Sequence, residues 1–280
     1  MLIRGYDMRL CGFADEADSF LSGQIKALER NGMKLLEIRG VDGENISVVK
    51  TEKLKAIKKE LDEAGISVWS IGSPIGKTDP CVDFDGHIEK FKHVCEAAEI
   101  LGAKRIRMFS FFTKDEKTAL SSLERLLKIT PSGIVLCHEN EKGIFGDDYE
   151  SCLKIHKEFP EIKAVFDPAN FVQCGVDTKA AWDALSPYVN YMHIKDALAS
   201  GEVVPAGSGI GNVKYLVENY AKMGGKVLTL EPHLMEFCGL SELENGESMA
   251  KKPVFTDTNV AFDAGADALK AILDELNLKY

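Results

Sequence analysis

Short apolar runs alternate along the chain with longer amphipathic stretches. The segments that contain these runs are NGMKLLEI (31–38), AGISVWSI (64–71), LGAKRIRM (101–108), PSGIVLCH (131–138), PEIKAVFD (160–167), PYVNYMHI (187–194) and GGKVLTLE (224–231). Glycine just past a helix adopts the left-handed conformation that ends it, and proline cannot continue a helix. Because the runs are short, rich in β-forming residues and almost continuously apolar, they predict strands that flanking helices bury on both faces.

The stretches between the runs have helical spacing. Their apolar faces include Leu54, Ile57 and Leu61; Phe84, Ile88, Phe91, Cys95 and Ala98; and Val213, Leu216, Val217 and Tyr220. Together with RLCGF (9–13), the runs predict eight strands that alternate with eight helical segments up to Leu276. This pattern predicts an α/β fold, a single-domain (β/α)8 TIM barrel over residues 1–280. No GxGxxG motif follows the first strand, which removes the main signal for an open doubly wound sheet.

Composition excludes several classes of protein. The chain of 280 residues is 45% hydrophobic, enough for a sizeable core, and 34 basic against 44 acidic residues give a net charge of −10. Nucleic-acid binding is disfavoured, because phosphate neutralisation needs the opposite balance. No apolar run is long enough to span a bilayer, and MLIRGYDMRL predicts no signal peptide. Seven cysteines without a CxxC pair disfavour disulfides and zinc fingers, so we expect a cytoplasmic protein. A homo-oligomer is compatible with the sequence.

Four potential metal ligands follow four successive predicted strands. Barrel enzymes keep their active sites at the carboxyl ends of the strands, and Glu139, Asp167, His193 and Glu231 stand there, each about one βα unit from the next. Any one of these residues alone could be a helix cap or a loop residue. Their recurrence after four successive strands instead indicates a shared metal site. Three carboxylates together are unfavourable without a cation. Three oxygen ligands and one nitrogen suit Mn²⁺, Co²⁺, Mg²⁺ or Zn²⁺.

The segments HEN (138–140), FDPAN (166–170), HIKD (193–196) and LEPH (230–233) resemble the xylose-isomerase-like barrel superfamily. That group includes ketose 3-epimerases, hydroxypyruvate isomerase, inosose dehydratase and, more distantly, endonuclease IV. The resemblance implies that Glu139, Asp167, His193 and Glu231 bind one divalent metal ion. It also implies that Glu139 and Glu231 serve as the acid/base pair.

By this resemblance we expect an isomerase or epimerase of a small sugar or polyol derivative. A dehydratase (lyase) of a keto-inositol or related sugar is the alternative in another enzyme class, and a non-catalytic sugar-binding barrel is a third. An endonuclease needs several metal ions, and six histidines in the whole chain supply too few ligands. Ketose 3-epimerases carry a histidine and an arginine where this chain has Asn170 and Ala199, which argues against ketohexose epimerisation in particular.

Six further side chains are candidates for substrate contact: Asn170, Lys195, His233, Glu37, Arg107 and Lys142. Lys195 and His233 come two residues after a proposed ligand, so strand alternation turns them to the same side as that ligand. Structural alternatives exist for most of these residues. Lys195 could pair with Asp196, Glu37 could pair with Arg107, and the others could be loop residues.

Two irregular segments have two interpretations each. PAGSGIG (205–211) precedes a predicted helix and could bind a phosphate, but a flexible turn is favoured because no basic residue accompanies it. The polar insertion 237–253 could form a lid over the site, although a solvated loop is the favoured interpretation.

Overall fold

Eight parallel strands close into a barrel in the computed structural model, which describes residues 7–238 and 255–280. The strands are β1 (Arg9–Gly12), β2 (Leu35–Ile38), β3 (Ser67–Gly72), β4 (Arg105–Met108), β5 (Val135–Glu139), β6 (Lys163–Phe166), β7 (Val189–Ile194) and β8 (Val227–Leu230). Each strand pairs with the next one along the chain, and β8 pairs with β1 to close the sheet. The predicted single-domain (β/α)8 barrel is confirmed.

Helices cover the outside of the barrel. They are α1 (Leu21–Arg30), α2 (Thr51–Glu63), α3 (Phe84–Leu101), α4 (Glu116–Lys128), α5 (Tyr149–Glu158), α6 (Pro168–Gln173), α7 (Thr178–Leu185), α8 (Val213–Lys222) and α9 (Thr258–Glu275). The sixth unit has two helices, because Asp167 caps a short α6 that begins with proline and α7 restarts behind the Asp177 cap. No helix in the described ranges combines the length and apolar character that crossing a membrane requires.

Strand alternation divides the barrel interior into layers. Cys11, Leu35, Cys137, Val165, Tyr191 and Val227 form a small buried apolar cluster of their own. Glu139, Asp167 and His193 each come two residues after one of its members, so each points inward one layer nearer the carboxyl ends of the strands. These three proposed ligands therefore lie in the layer of side chains next to the apolar cluster, toward the carboxyl ends of the strands, and Glu231 directly follows β8 at the same end.

One buried histidine lies on the outer face of the barrel, in α5. His156 is 1% exposed, its Nδ1 lies 3.0 Å from the carbonyl oxygen of Ile162, and its ring stacks on Tyr188. Burial lowers the pKa of His156 to about 4, although the Ile162 carbonyl opposes that shift. The folded protein therefore holds this imidazole neutral at pH values where the unfolded chain protonates it.

Acid should destabilise the protein partly through His156. In the unfolded chain His156 binds a proton below the ordinary histidine pKa of 6.5, whereas in the folded chain it binds one only below about pH 4. The free energy of unfolding therefore decreases as the pH falls from 6.5 to about 4. His156→Asn keeps a donor for the Ile162 carbonyl but does not titrate. We expect the wild type to lose about 2–3 kcal/mol more than this variant between pH 7 and pH 4.5 in urea unfolding. Equal losses in both proteins would contradict the assignment.

Candidate active site and metal centre

The four proposed ligands converge at the carboxyl end of the barrel. Glu139 ends β5, Asp167 directly follows β6, His193 is the fifth residue of β7 and Glu231 directly follows β8. All four are buried, and one potential ligand atom from each lies within 4.8 Å of those of the others. We call this group the four-ligand cluster. Its donors, three carboxylates and one imidazole, form a suitable set for a divalent cation.

An arginine holds each glutamate of the cluster. Nε of Arg107 lies 3.1 Å from Oε2 of Glu139, and an Nη1–H of Arg39 donates to Oε1 of Glu231 at 2.8 Å. The other oxygens face Nδ1 of His193, at 2.9 Å for Glu139 Oε1 and 3.3 Å for Glu231 Oε2. Each glutamate thus uses one oxygen as an anchor and directs the second into the cluster.

Two asparagines fix Asp167 and the segment around it. The side chain of Asn140 accepts from the backbone N–H of Asp167 and donates to its carbonyl oxygen, at 2.9 and 2.8 Å. Asp167 Oδ1 caps α6 by accepting from the backbone N–H of Asn170. The Asn170 amide donates to Oε1 of Glu139 at 3.3 Å, so it lies at the edge of the cluster. Oδ2 of Asp167 is buried without a hydrogen bond in the described part of the chain, although Nζ of Lys195 is 3.1 Å away.

The buried charge around the cluster is strongly negative. Six carboxylates and three cationic side chains are buried here: Asp15, Glu16, Glu37, Glu139, Asp167 and Glu231, against Arg39, Arg107 and Lys195. With neutral histidines, an excess of three negative charges remains. Such an excess is costly inside a protein unless protons or a cation compensate it. The donor set, the charge and the unbonded Asp167 oxygen all fit a divalent metal ion.

The pKa values in the cluster reflect burial and this excess charge. Burial raises the pKa of Asp167 to about 7 despite the opposing Lys195 ammonium. Burial opposes protonation of His193, but Glu139, Glu37 and Glu231 outweigh it and raise its pKa well above the usual value. Burial also acts to raise the pKa of Glu231, but the adjacent Lys195, His233 and His193 hold it well below the ordinary range. In the metal-free cluster, protons on Asp167 and His193 therefore compensate part of the negative charge that a bound cation would otherwise compensate.

The predicted substrate-contact residues lie in three different places. Lys195 faces the cluster, where its Nζ is 3.1 Å from Asp167 Oδ2 and 3.4 Å from Glu231 Oε2. Nε2 of His233 lies 3.4 Å from Glu231 Oε1. Lys142 is half-buried in the loop after β5, where its backbone N–H donates to the Glu141 carboxylate. Lys195 and His233 therefore border the cluster together with Asn170.

Glu37 and Arg107 lie behind the ligands. Arg107 donates to the carbonyl oxygen of Ser73 and contacts Glu139, while both oxygens of Glu37 are engaged by Tyr191 and His193. The suggested pairing of Glu37 with Arg107 is wrong, since each has other partners. Both side chains are almost fully buried, and their predicted contact with a substrate stays a prediction.

Arg39 is the main site residue that the sequence interpretation missed. Its guanidinium binds Asp15, Glu16 and Glu231, and it lies over the rings of Phe13 and Phe237, with its carbon at 4.3 and 4.8 Å from the ring centroids. Glu16, Glu231 and His233 also form a second potential ligand set. Arg39 already binds both of those carboxylates, so its guanidinium compensates their negative charge.

The loop 205–211 encloses a carboxylate of the protein. Oδ1 of Asp196 accepts from the backbone N–H groups of Ala197 and Gly211, and Oδ2 accepts from those of Gly207 and Gly209, all at 2.9–3.0 Å. A Cβ atom on Gly209 or Gly211 would come within 2.4 or 2.6 Å of Asp196 Oδ1. The phosphate interpretation and the suggested Lys195–Asp196 salt bridge are both wrong, because these backbone donors already bind Asp196.

Asp196→Asn should destabilise the protein far more than an ordinary cap substitution. An amide keeps one acceptor oxygen and turns an NH₂ group toward backbone N–H donors, so two of the four donors lose their acceptor. We expect a loss of about 3 kcal/mol in urea unfolding. Asp177→Asn is the matched control, because Asp177 caps α7 at an exposed site where asparagine caps equally well. A loss below about 1 kcal/mol for Asp196→Asn would contradict this role.

The insertion 237–253 lies almost entirely outside the described residues, which include only Phe237 and Cys238 of it. Phe237 is half-buried and packs against His233, with ring centroids 5.4 Å apart. The lid and loop interpretations of this insertion therefore stay predictions.

Comparison with known families identifies the class of protein. Residues 25–252 match the family model described as xylose isomerase-like TIM barrel, and the chain belongs to that family. No curated protein matches the sequence.

Solved structures of similar fold include several enzymes. An L-ribulose 3-epimerase aligns with a TM-score of 0.75 at 15% identity, over 97% of this chain and 96% of its own. A probable 3-DHS dehydratase, AsbF, from Bacillus anthracis aligns with a TM-score of 0.71 at 14% identity, over 94% of this chain and 98% of its own. The IOLI protein with a binding zinc atom aligns with a TM-score of 0.72 at 16% identity, over 96% of this chain and 99% of its own. At these identities the likeness shows the fold alone.

Proposed function

We propose that this protein is a divalent-metal-dependent isomerase or epimerase of a small sugar or polyol derivative. The observation that carries the proposal is the buried four-ligand cluster, whose two glutamates each direct one oxygen inward. Membership of the xylose isomerase-like family and the fold shared with an L-ribulose 3-epimerase support it. Mn²⁺, Co²⁺, Mg²⁺ and Zn²⁺ all suit the donor set.

The proposed mechanism is a proton transfer between two carboxylates. A divalent ion held by Glu139, Asp167, His193 and Glu231 would polarise the substrate carbonyl and acidify the adjacent C–H group. One of Glu139 and Glu231 removes that proton and the other returns one. Arg39 and Arg107 hold the two bases in place, and Lys195, Asn170 and His233 orient the hydroxyl groups of the substrate.

Dehydration of a keto-inositol or related sugar is a second candidate. The observation that favours it is the buried Lys195 ammonium, 3.4 Å from Oε2 of Glu231. If a glutamate removes the α-proton, this ammonium could protonate a departing β-hydroxyl as water. AsbF, with the same fold, is described as a probable 3-DHS dehydratase.

Exchange of the substrate α-proton with solvent tests both candidates. The protein is incubated with Mn²⁺ in D₂O and with a panel of ketoses, aldoses, hydroxypyruvate and inososes, and deuterium uptake is followed by NMR. Isomerisation predicts uptake at the carbon beside the carbonyl, and dehydration predicts a new ultraviolet-absorbing enone or dione. A metal-loaded protein that binds a sugar without exchanging its α-proton would instead be a non-catalytic sugar-binding barrel.

A further inference from the structure

A buried carboxylate lies behind His193, on the side of the ring away from the four-ligand cluster. Oε2 of Glu37, on β2, is 3.2 Å from Nε2 of His193, while Oε1 accepts the Tyr191 hydroxyl hydrogen bond at 2.7 Å. Glu37, Tyr191 and His193 are each 0% exposed. The pairing of β2 with β3 shifts register between Leu36 and Glu37, an irregularity of the kind that re-aims side chains near active sites.

The charge on Glu37 needs hydrogen-bond donors inside the barrel. Within the described ranges, no lysine or arginine forms an ion pair with Glu37, and the basic side chain beside it is His193. A buried carboxylate is costly unless hydrogen bonds stabilise it. An ionised carboxylate can only accept hydrogen bonds, so the Tyr191 hydroxyl and Nε2 of His193 must both donate to it.

This arrangement selects one tautomer of His193. A neutral imidazole with a proton on Nε2 carries its lone pair on Nδ1, and Nδ1 is the nitrogen that faces the cluster, 2.9 Å from Glu139 Oε1. A carboxylate behind a ligating histidine fixes the ring orientation and strengthens the ligand. We infer that Glu37 is a positioning residue that makes Nδ1 of His193 the metal-binding atom, with Tyr191 holding Glu37 in place. The inference rests on the proposed metal site.

Nitrogen NMR of the wild-type protein tests the tautomer directly. Protein with ¹⁵N-labelled histidine is loaded with Zn²⁺, and the His193 signals are assigned by comparison with His193→Gln. We expect a protonated, hydrogen-bonded Nε2 and a proton-free Nδ1 whose shift changes when Zn²⁺ binds. A proton-free Nε2 in the zinc-loaded protein would overturn the inference.

Binding of Co²⁺ to variants tests the role of Glu37, with affinity and visible absorption bands as readouts. Glu37→Gln should weaken Co²⁺ binding about 10–100-fold and alter the bands. Tyr191→Phe removes one hydroxyl and keeps the ring, and it should weaken Co²⁺ binding about 2–10-fold. This variant tests the inference if Glu37→Gln does not fold. Thr229→Val is the matched control, since it removes a buried hydroxyl that makes no hydrogen bond to Glu37, and it should change affinity less than 2-fold.

The outcomes separate this inference from the proposed function. A folded wild-type protein that binds neither Co²⁺ nor Zn²⁺ would defeat the proposed metal site itself. Wild-type binding with unchanged affinity and bands in both Glu37→Gln and Tyr191→Phe would overturn the positioning role and leave the metal site intact. Weaker binding with altered bands in Glu37→Gln, and wild-type behaviour in Thr229→Val, would support it.

Discussion

Glu139→Gln and Glu231→Gln should each lower kcat by about 10²–10⁴, the range for loss of one general base. Glutamine keeps the size of the side chain and one coordinating oxygen but loses most of the basicity. Metal binding should weaken less than kcat, because the other three ligands and the anchoring arginines remain. The measurement is the rate of α-proton exchange in D₂O on the first substrate that the panel identifies, with metal content determined in parallel.

Glu141→Gln is the control for these substitutions. Glu141 lies two residues after Glu139 and is mostly buried, but it pairs with Lys77 at 2.8 Å and is not a member of the four-ligand cluster. Its loss should therefore change kcat less than 10-fold. If both cluster variants exchange the α-proton at the wild-type rate with metal bound, the two glutamates are ligands only, and Lys195 or His233 becomes the better base.

Asp167→Asn should abolish most metal-dependent stabilisation without harming the metal-free protein. Asparagine still caps α6 and replaces a carboxyl group whose pKa burial raises to about 7, so the metal-free variant should be at least as stable as the wild type. A metal at 1,000 times its Kd stabilises the wild type by about 4 kcal/mol, and a 100-fold weaker site loses about 2.7 kcal/mol of that. Thermal unfolding with and without Mn²⁺ measures both effects.

Asp148→Asn provides the comparison for Asp167→Asn. Asp148 also caps a helix, α5, by accepting from the backbone N–H of Ser151, but it lies outside the four-ligand cluster. Its metal-dependent shift in Tm should equal that of the wild type. A wild-type shift in Asp167→Asn itself would remove Asp167 from the proposed ligand set.

The barrel and the convergence of the four proposed ligands could be predicted because both depend on regular spacing. Parallel strands in a barrel end at the same rim, so polar residues that follow four successive strands must approach one another. The same reasoning could have found Arg39, which comes two residues after Glu37 at the end of β2 and turns to the same side. A guanidinium is not a metal ligand, so a pattern of metal-ligating residues does not include Arg39.

The partners of Asp196 and Lys195 could not be predicted in this way. Asp196 binds backbone N–H groups up to 15 residues away, and backbone donors leave no mark in the sequence beyond the glycines that make room for them. Lys195 pairs with Asp167 and Glu231, which follow the two neighbouring strands β6 and β8, instead of with the adjacent Asp196. Which charges meet inside a barrel depends on side-chain reach, which spacing along the chain does not specify.

The separation of ligands from their supports limits how this barrel could be recombined with another. All four members of the four-ligand cluster come from β5 onward, whereas Arg39, Arg107 and Glu37 come from the first four strands and the residues that directly follow them. A chimera that joined the second half of this chain to the first half of a different barrel would inherit every ligand. It would lose both guanidinium anchors and the carboxylate behind His193, so its glutamates would keep their positions in the sequence but not their geometry. A half-barrel exchange in this protein therefore has to preserve these three supporting positions together.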